Sequence, residues 1–162
     1  MFKSGTAYPP IPNNVFFEQV IACLNEGKNI VMYVQGNSMF PFICNGDKIL
    51  LAPAESEALR LGDIVLAKTQ IGVILHRVIE LQENLIVLAG DGNTKQVEHA
   101  SLDEVFGKVF IVYRGKLAWD ASSFKSRLIW RCWHIFRPIR RVLLAFLKRL
   151  TKLTRTNDED KR

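Results

Sequence analysis

The sequence predicts a mostly β fold: a curled, partly closed antiparallel β domain with a short N-terminal helix and a C-terminal basic amphipathic helical tail. Short apolar runs between residues 30 and 113, separated by Gly-Asp and similar turn signals, predict the β domain. After Ser122 the apolar spacing lengthens to three or four residues, which predicts the helical tail. We expect the β domain at residues 1–121, the tail at 122–153 and a disordered end at 154–162.

Turn residues and apolar runs place the elements along the domain. Asn13 or Asn14 is expected to cap a short helix from Val15 to Asn25, which Gly27 ends. The apolar runs predict strands at residues 29–35, 48–52, 64–68, 73–81, 85–89 and 105–113.

Composition limits the classes of function. The chain has 162 residues, and because 48% of them are hydrophobic we expect a folded domain. The three cysteines are odd in number and far apart, which predicts neither a disulfide framework nor a metal site, and we expect no cofactor. The N-terminus lacks the apolar core of a secretion signal, and no run reaches the ~18 apolar residues of a membrane span. These features predict a cytoplasmic protein.

One serine lies in a turn whose neighbouring residues restrict the backbone. Gly36-Asn37-Ser38-Met39-Phe40-Pro41 follows an apolar strand, and glycine and proline restrict the backbone on both sides of the serine. A nucleophile needs such a rigid mounting, because its oxygen must be held close to one working geometry. The alternative is an ordinary turn serine, since serine is common in turns.

The candidate base and its acidic partner come from later turns and strands. His76 lies in the most apolar strand, where a partly desolvated imidazole stays neutral and accepts a proton. Asp91, in Gly90-Asp91-Gly92-Asn93, is expected to accept the other N–H of His76 and fix its tautomer. The alternatives are a structural histidine bonded within the sheet and an ordinary turn aspartate.

Together these blocks resemble the type I signal peptidase and LexA-type serine peptidase superfamily over about residues 30–113. The resemblance rests on Gly36 to Pro41, Gly46-Asp47, Leu61 to Val65, Leu75 to Ile79 and Gly90 to Asn93. It implies Ser38 as nucleophile, His76 as general base and Asp91 as orienting acid, on a mostly β fold that binds an extended peptide by strand addition. A histidine in place of the bacterial lysine base is similar to the archaeal and endoplasmic-reticulum signal peptidases.

The sequence also departs from that family's pattern. Some relatives carry a second acidic residue where this chain has Val97, and Glu98 one position further on is the second candidate acidic partner. Gly36 stands where bacterial enzymes often place a hydroxyl, which leaves the backbone N–H of Ser38 as the expected oxyanion donor. Gly36, Asn37, Met39 and Pro41 are expected to support the turn and the substrate strand. The membrane anchor and the LexA helix-turn-helix module are not visible.

The tail carries a strong positive charge. Residues 1–121 hold 10 Lys+Arg against 13 Asp+Glu, a net of −3, whereas residues 122–162 hold 12 against 3, a net of +9. Beside this basic face lies a predicted apolar stripe of Ile129, Cys132, Phe136, Ile139, Leu143, Phe146, Leu150 and Leu153. The stripe predicts contact with an anionic membrane surface at the inner membrane face. The basic residues expected to make this contact are Arg131, Arg137, Arg140, Arg141, Lys148 and Arg149. Packing on the body, a homodimer and, ranked last, nucleic acid are the alternatives.

Three functions follow from these observations. The first is a serine endopeptidase that cuts an extended peptide or leader through a Ser38 acyl-enzyme. The second is a weakly active or non-catalytic module that binds a peptide or protein partner on the same fold. The third is a LexA-like regulator whose basic tail contacts nucleic acid.

Overall fold

A computed structural model describes residues 13–93 and 96–135 of the chain. Ten helices and strands make up this part of the protein. They are α1 (Asn13–Asn25), β1 (Ile30–Tyr33), β2 (Lys48–Pro53), β3 (Ile64–Thr69), β4 (Gly72–Leu81), β5 (Leu85–Ala89), β6 (Glu98–Ser101), β7 (Val105–Arg114), β8 (Leu117–Asp120) and α2 (Phe124–Ile135). Single 3₁₀ turns lie at Ser56–Ala58 and Leu102–Glu104.

The eight strands form one antiparallel sheet. Its order is β1-β2-β7-β3-β4-β5-β6, and β8 pairs with β7 beside this path. The predicted fold class is confirmed: the domain is mostly β, with a short N-terminal helix and a C-terminal helix. The sheet is not closed, since β1 and β6 are the ends of its path among the described strands. Bulges after Leu50, Leu66 and Val78 bend strands β2, β3 and β4.

The core lies on both faces of the sheet, with β3 at its centre. Ile64 and Leu66 pack in a cluster with residues of α1, β1, β2 and β7. Val65 and Ala67 point the other way, into a cluster with residues of β4, β5 and β6. Successive side chains of a strand alternate between faces, so burial on both sides requires the continuous apolar run that β3 has.

Two strands escaped the sequence analysis. All six predicted strands exist, with ends that differ by at most two residues, but β6 and β8 were not predicted. The β6 sequence, Glu-His-Ala-Ser, has a single aliphatic residue, so it lacks the apolar run that marks a strand. Its pairing with β5, and not its own propensity, holds it extended.

Helix α2 packs on the body through tryptophan. Trp130 is 5% exposed, and a Cβ placed on Gly62 would lie 2.8 Å from its ring, so only a glycine lets the helix approach this closely. The predicted apolar stripe lies elsewhere: Ile129 and Cys132 are both exposed. Among the described residues no helix has the length and apolarity needed to cross a membrane.

Candidate active site

The serine turn is fixed at both ends by backbone and asparagine contacts. Gly36 has a φ of +92°, a left-handed conformation that favours glycine. Its N–H donates to Oδ1 of Asn45 at 3.0 Å, and the N–H of Phe40 donates to the carbonyl of Asn37 at 3.2 Å. The Phe40–Pro41 peptide bond is cis. The turn is therefore a defined structure between β1 and β2, as the Gly and Pro positions predicted.

Burial of the residues after the serine orients it outward. Met39 is 2% exposed and Phe40 is 9% exposed, whereas Ser38 is exposed. The two buried side chains anchor the turn in the core, so the hydroxyl of Ser38 is presented at the surface. Among the described residues, no acceptor pairs with the backbone N–H of Ser38, which leaves this donor for a ligand oxygen.

An arginine clamps the far side of the same turn. Arg114 on β7 donates to both carboxylate oxygens of Asp47 at 2.7–3.2 Å and to the carbonyl of Phe42 at 3.1 Å. Asp47 in turn accepts the N–H of Cys44 at 2.7 Å. The hydrogen bond to Asp47 raises the pKa of Arg114, and burial raises the pKa of the Cys44 thiol. This clamp joins the serine turn to the central sheet.

His76 on β4 is buried against a glutamate. It is 5% exposed, and its Nδ1 lies 2.9 Å from Oε2 of Glu98, which is 7% exposed. An ionised carboxylate only accepts hydrogen bonds, so Nδ1 of a neutral His76 carries the hydrogen and Nε2 keeps a lone pair. The contact therefore fixes the tautomer in which Nε2 accepts a proton.

The accepting nitrogen of His76 and the serine turn converge at Gly90. A Cβ placed on Gly90 would lie 3.1 Å from Nε2 of His76 and 2.5 Å from the carbonyl oxygen of Ser38. A side chain at this position would collide with both groups. Because Gly90 has no side chain, strand β4, which carries His76, and the serine turn are able to lie close together at this position.

Ser38 and His76 line one cavity of about 680 Å³. The rest of its wall is mostly apolar and comes from α1, β1, residues 34–39, β3 and β4. The residues besides these two are Phe16, Phe17, Val31, Met32, Tyr33, Val34, Gln35, Gly36, Met39, Leu66, Val73, Ile74 and Leu75. The two predicted residues therefore share one accessible space, with a hydroxyl and an imidazole at one apolar groove.

Asp91 is not the partner of His76, which corrects the sequence prediction. Its carboxylate accepts three hydrogen bonds from Arg77, two from Nε at 3.0 Å and one from Nη2 at 2.6 Å. Successive residues of a strand face opposite sides, so Arg77 and His76 meet different carboxylates. A guanidinium, always charged and forked, pairs better with a buried aspartate than a neutral imidazole does. Glu98, the second candidate, takes the place beside His76.

The Asp91 loop nevertheless touches the serine turn. The N–H of Gly92 donates to the carbonyl of Ser38 at 2.7 Å, and a Cβ on Gly92 would lie 2.8 Å from the carbonyl of Asn37. On its other side, Nε1 of Trp133 in α2 donates to the carbonyl of Asp91 at 3.2 Å. The loop therefore connects helix α2 to the turn that carries Ser38.

The basic residues predicted to contact a membrane are only partly visible. Arg131 is exposed on α2. Arg137, Arg140, Arg141, Lys148 and Arg149 lie outside the described residues. Within residues 13–93 and 96–135 no group of three or more His, Cys, Asp and Glu side chains is arranged to hold a metal ion.

Comparison with known proteins identifies the family. A model of the Peptidase S24-like family matches residues 4–110. The chain belongs to this family. The match covers the serine turn, β4, the Asp91 loop and β6, and it ends before α2. The family lies within the LexA and signal peptidase superfamily, and it includes serine peptidases, LexA-like autoproteases and non-catalytic members. A comparison with curated proteins finds no match.

Proposed function

We propose that this protein is a serine endopeptidase that resembles signal peptidases and cuts an extended peptide through an acyl-enzyme on Ser38. The observation that carries the proposal is the convergence of Ser38 and His76 at one groove, with Glu98 fixed 2.9 Å behind the imidazole. Membership of a peptidase family supports the same chemistry. A module that only binds a partner would have no need of an imidazole oriented in this way.

The proposal gives each of these residues one role in the reaction. Nε2 of His76 takes the proton of the Ser38 hydroxyl as its oxygen attacks the carbonyl carbon of the scissile bond. The Glu98 carboxylate stabilises the imidazolium that forms, and His76 then gives the proton to the leaving amine. Water hydrolyses the acyl-enzyme with His76 again as base. The backbone N–H of Ser38 is the proposed donor to the oxyanion.

The base and its partner favour one branch of the superfamily. A histidine base oriented by a carboxylate is similar to the archaeal and endoplasmic-reticulum signal peptidases, whereas the bacterial enzymes use lysine. In this proposal Glu98 takes the orienting role that the sequence analysis gave to Asp91. Gly36, Asn37, Met39 and Pro41 keep the supporting role, because they hold the turn from which Ser38 projects.

The groove fits a peptide bound as a strand. β1 is an edge of the sheet among the described strands, and Val31 to Val34 line the groove beside Ser38. An edge strand offers unpaired N–H and C=O groups, so an extended peptide is able to add to it. The apolar lining favours uncharged side chains near the scissile bond.

A search for cleavage tests this proposal directly. The full chain is incubated with a complex mixture of peptides, and new termini are read by mass spectrometry beside the Ser38→Ala variant. We expect termini that only the wild type produces. Peptides retained by both proteins without any new terminus would favour the alternative of a non-catalytic binding module.

We further propose that the outward face of α2 binds an anionic membrane surface. Phe124, Leu128, Ile129 and Ile135 are 49–76% exposed, beside the exposed Arg131. The charge of +9 on residues 122–162 complements an anionic lipid surface. A second copy of the chain and nucleic acid are the competing occupants of this face.

A further inference from the structure

We infer that Arg77 and Asp91 form a positioning pair for Ser38 and His76, and that helix α2 holds this pair in place. The inference rests on the proposed function, since it takes Ser38 and His76 as the reacting residues. It adds two positioning residues outside the catalytic groove and gives α2, which lies beyond the family match, a part in the active site.

The Arg77–Asp91 pair is buried, and several hydrogen bonds fix its geometry. The side chains of Arg77 and Asp91 are each 2% exposed, and Arg77 also donates from Nη1 to the carbonyl of Gly62 at 2.6 Å. A buried ion pair is weak evidence for stability, because desolvation of both charges offsets their attraction. What a forked guanidinium on a carboxylate does provide is a fixed mutual orientation. We therefore look for the function of the pair in what it orients.

Arg77 is the chain neighbour of His76, and Asp91 lies between two glycines that border the serine turn. Arg77 follows His76 on β4, so fixing the guanidinium restrains the backbone that carries the imidazole. Asp91 stands between Gly90, which abuts Nε2 of His76 and the carbonyl of Ser38, and Gly92, whose N–H donates to that same carbonyl. The Arg77–Asp91 contact thus ties the histidine strand to the loop that supports the serine.

Aromatic rings from two elements close over the guanidinium. Cζ of Arg77 lies 5.1 Å from the ring centroid of Phe42 and 5.6 Å from that of Trp130, within the range of cation–π contact. Trp133 packs edge-on against Phe42 at 5.9 Å and donates its N–H to the carbonyl of Asp91. Phe42 belongs to the chain just after the serine turn. Helix α2 therefore contacts both loops that meet at Ser38.

A conservative change isolates the contribution of α2. Trp133→Phe keeps a ring against Phe42 but removes the N–H that the carbonyl of Asp91 accepts. Loss of one such hydrogen bond is expected to increase opening of the loop about 2- to 10-fold. Leu128→Ala, which truncates a half-exposed side chain on the same helix, is the matched control. Arg77→Lys removes the forked geometry and keeps the charge, and we expect the largest effect from it.

Two readouts are measured on the full chain. Hydrogen exchange by NMR reports opening at the Gly92 amide, with the Leu66 amide in the central strand as a global reference. The second readout is the rate at which a phosphonate probe modifies Ser38, measured well below the melting temperature. We expect Trp133→Phe and Arg77→Lys to lower both Gly92 protection and the labelling rate, while Leu66 protection stays unchanged. Leu128→Ala should match the wild type in both.

The two readouts separate failure of this inference from failure of the proposed function. If the wild type is not labelled at Ser38 but Gly92 protection falls in Trp133→Phe, the peptidase proposal is wrong and the coupling of α2 to the loop stands. If Trp133→Phe and Arg77→Lys label and exchange like the wild type, the positioning role is refuted. A uniform loss of protection at Gly92 and Leu66 would also refute it, because it would indicate a purely structural contact.

Discussion

Two buried carboxylates lie near His76 and the serine turn, and each has a different basic partner. Glu98 faces the imidazole of His76, while Asp91 binds the guanidinium of Arg77. Oε1 of Glu98 has no hydrogen-bond partner among the described residues, so its other oxygen makes the contact that orients the histidine. A single carboxylate oxygen therefore controls which nitrogen of His76 carries the hydrogen.

The residue-level assignment predicts unequal effects of amide substitution. Glu98→Gln replaces the charge that stabilises the imidazolium, so we expect the rate of phosphonate labelling at Ser38 to fall about 10- to 10³-fold. Asp91→Asn should lower the rate less, because that carboxylate acts only through Arg77. Equal effects of the two changes on the labelling rate, or a larger effect at Asp91, would contradict the assignment of Glu98 as the partner of His76. Thermal unfolding of both variants is the control for folding.

Gly90 gives a second prediction at this scale. A methyl group at this position would lie 2.5 Å from the carbonyl oxygen of Ser38, which is backbone and unable to move aside freely. We expect Gly90→Ala to cost about 1–3 kcal/mol of unfolding free energy and to slow labelling of Ser38. Gly107→Ala, whose added methyl would lie 2.9 Å from a terminal methyl of Leu24 and 3.3 Å from the carbonyl oxygen of Ala52, is the matched glycine control. If Gly90→Ala is labelled at the wild-type rate, the close approach of β4 and the serine turn at Gly90 is not needed for reaction at Ser38.

At the scale of elements, long apolar runs were predictable and the short polar strand was not. β5 was predicted at Leu85–Ala89, as it is observed, because five apolar residues in a row stand between polar turns. β6 escaped because only Glu98 and Ala100 of its four residues are buried, and a buried glutamate is not read as apolar. The alternate spacing of Glu98 and Ala100, whose side chains are buried, is the one signal in the sequence that could have indicated this strand.

Missing β6 explains the error at the site. Without a strand at residues 98–101, nothing in the sequence placed the side chain of Glu98 in the sheet, whereas Asp91 stood in a recognisable turn. Local patterns identified the serine turn and the histidine strand. The choice between the two carboxylates depended on pairing across β4, β5 and β6, which is a non-local property of the sheet.

The clamp between β7 and the serine turn carries a prediction of its own. Arg114→Ala leaves the 4%-exposed Asp47 without its guanidinium, so we expect a loss of about 1–2 kcal/mol in urea unfolding. Labelling of Ser38 should also slow, since Arg114 holds the carbonyl of Phe42 behind the turn. Arg114→Lys should recover part of the stability but not the forked contact. Unchanged stability and unchanged labelling of Ser38 in Arg114→Ala would show that the serine turn keeps its conformation without Arg114.

The whole molecule combines a weakly acidic body with a basic C-terminal region. The body carries the groove, and α2 joins it to residues that bear most of the positive charge. On α2 the buried Trp130 packs on Gly62 and Trp133 contacts the Asp91 loop, while Ile129 and Cys132 of the predicted stripe are exposed. One face of the helix therefore lies against the body beside the candidate site, and another face is exposed.

This arrangement predicts membrane binding that depends on both charge and apolar contact. The full chain should float with vesicles that contain phosphatidylglycerol and not with phosphatidylcholine alone, and added salt should weaken the binding. Leu128→Glu with Ile129→Glu should abolish flotation, whereas Leu117→Glu, an exposed change on β8, should not. If the variant with both Leu128→Glu and Ile129→Glu still floats with the vesicles, α2 is not the membrane contact. A salt-dependent shift with DNA instead of lipid would favour the LexA-like alternative.

The proposed peptidase activity depends on activation of the Ser38 hydroxyl by the imidazole of His76. Its most direct test compares the rate of phosphonate labelling at Ser38 in the wild type and in His76→Gln, with the modified residue located by peptide mass mapping and Ser38→Ala as the blank. We expect labelling at Ser38 to slow about 10²- to 10⁴-fold in His76→Gln. Equal rates in the two proteins, or labelling that persists in Ser38→Ala, would contradict it.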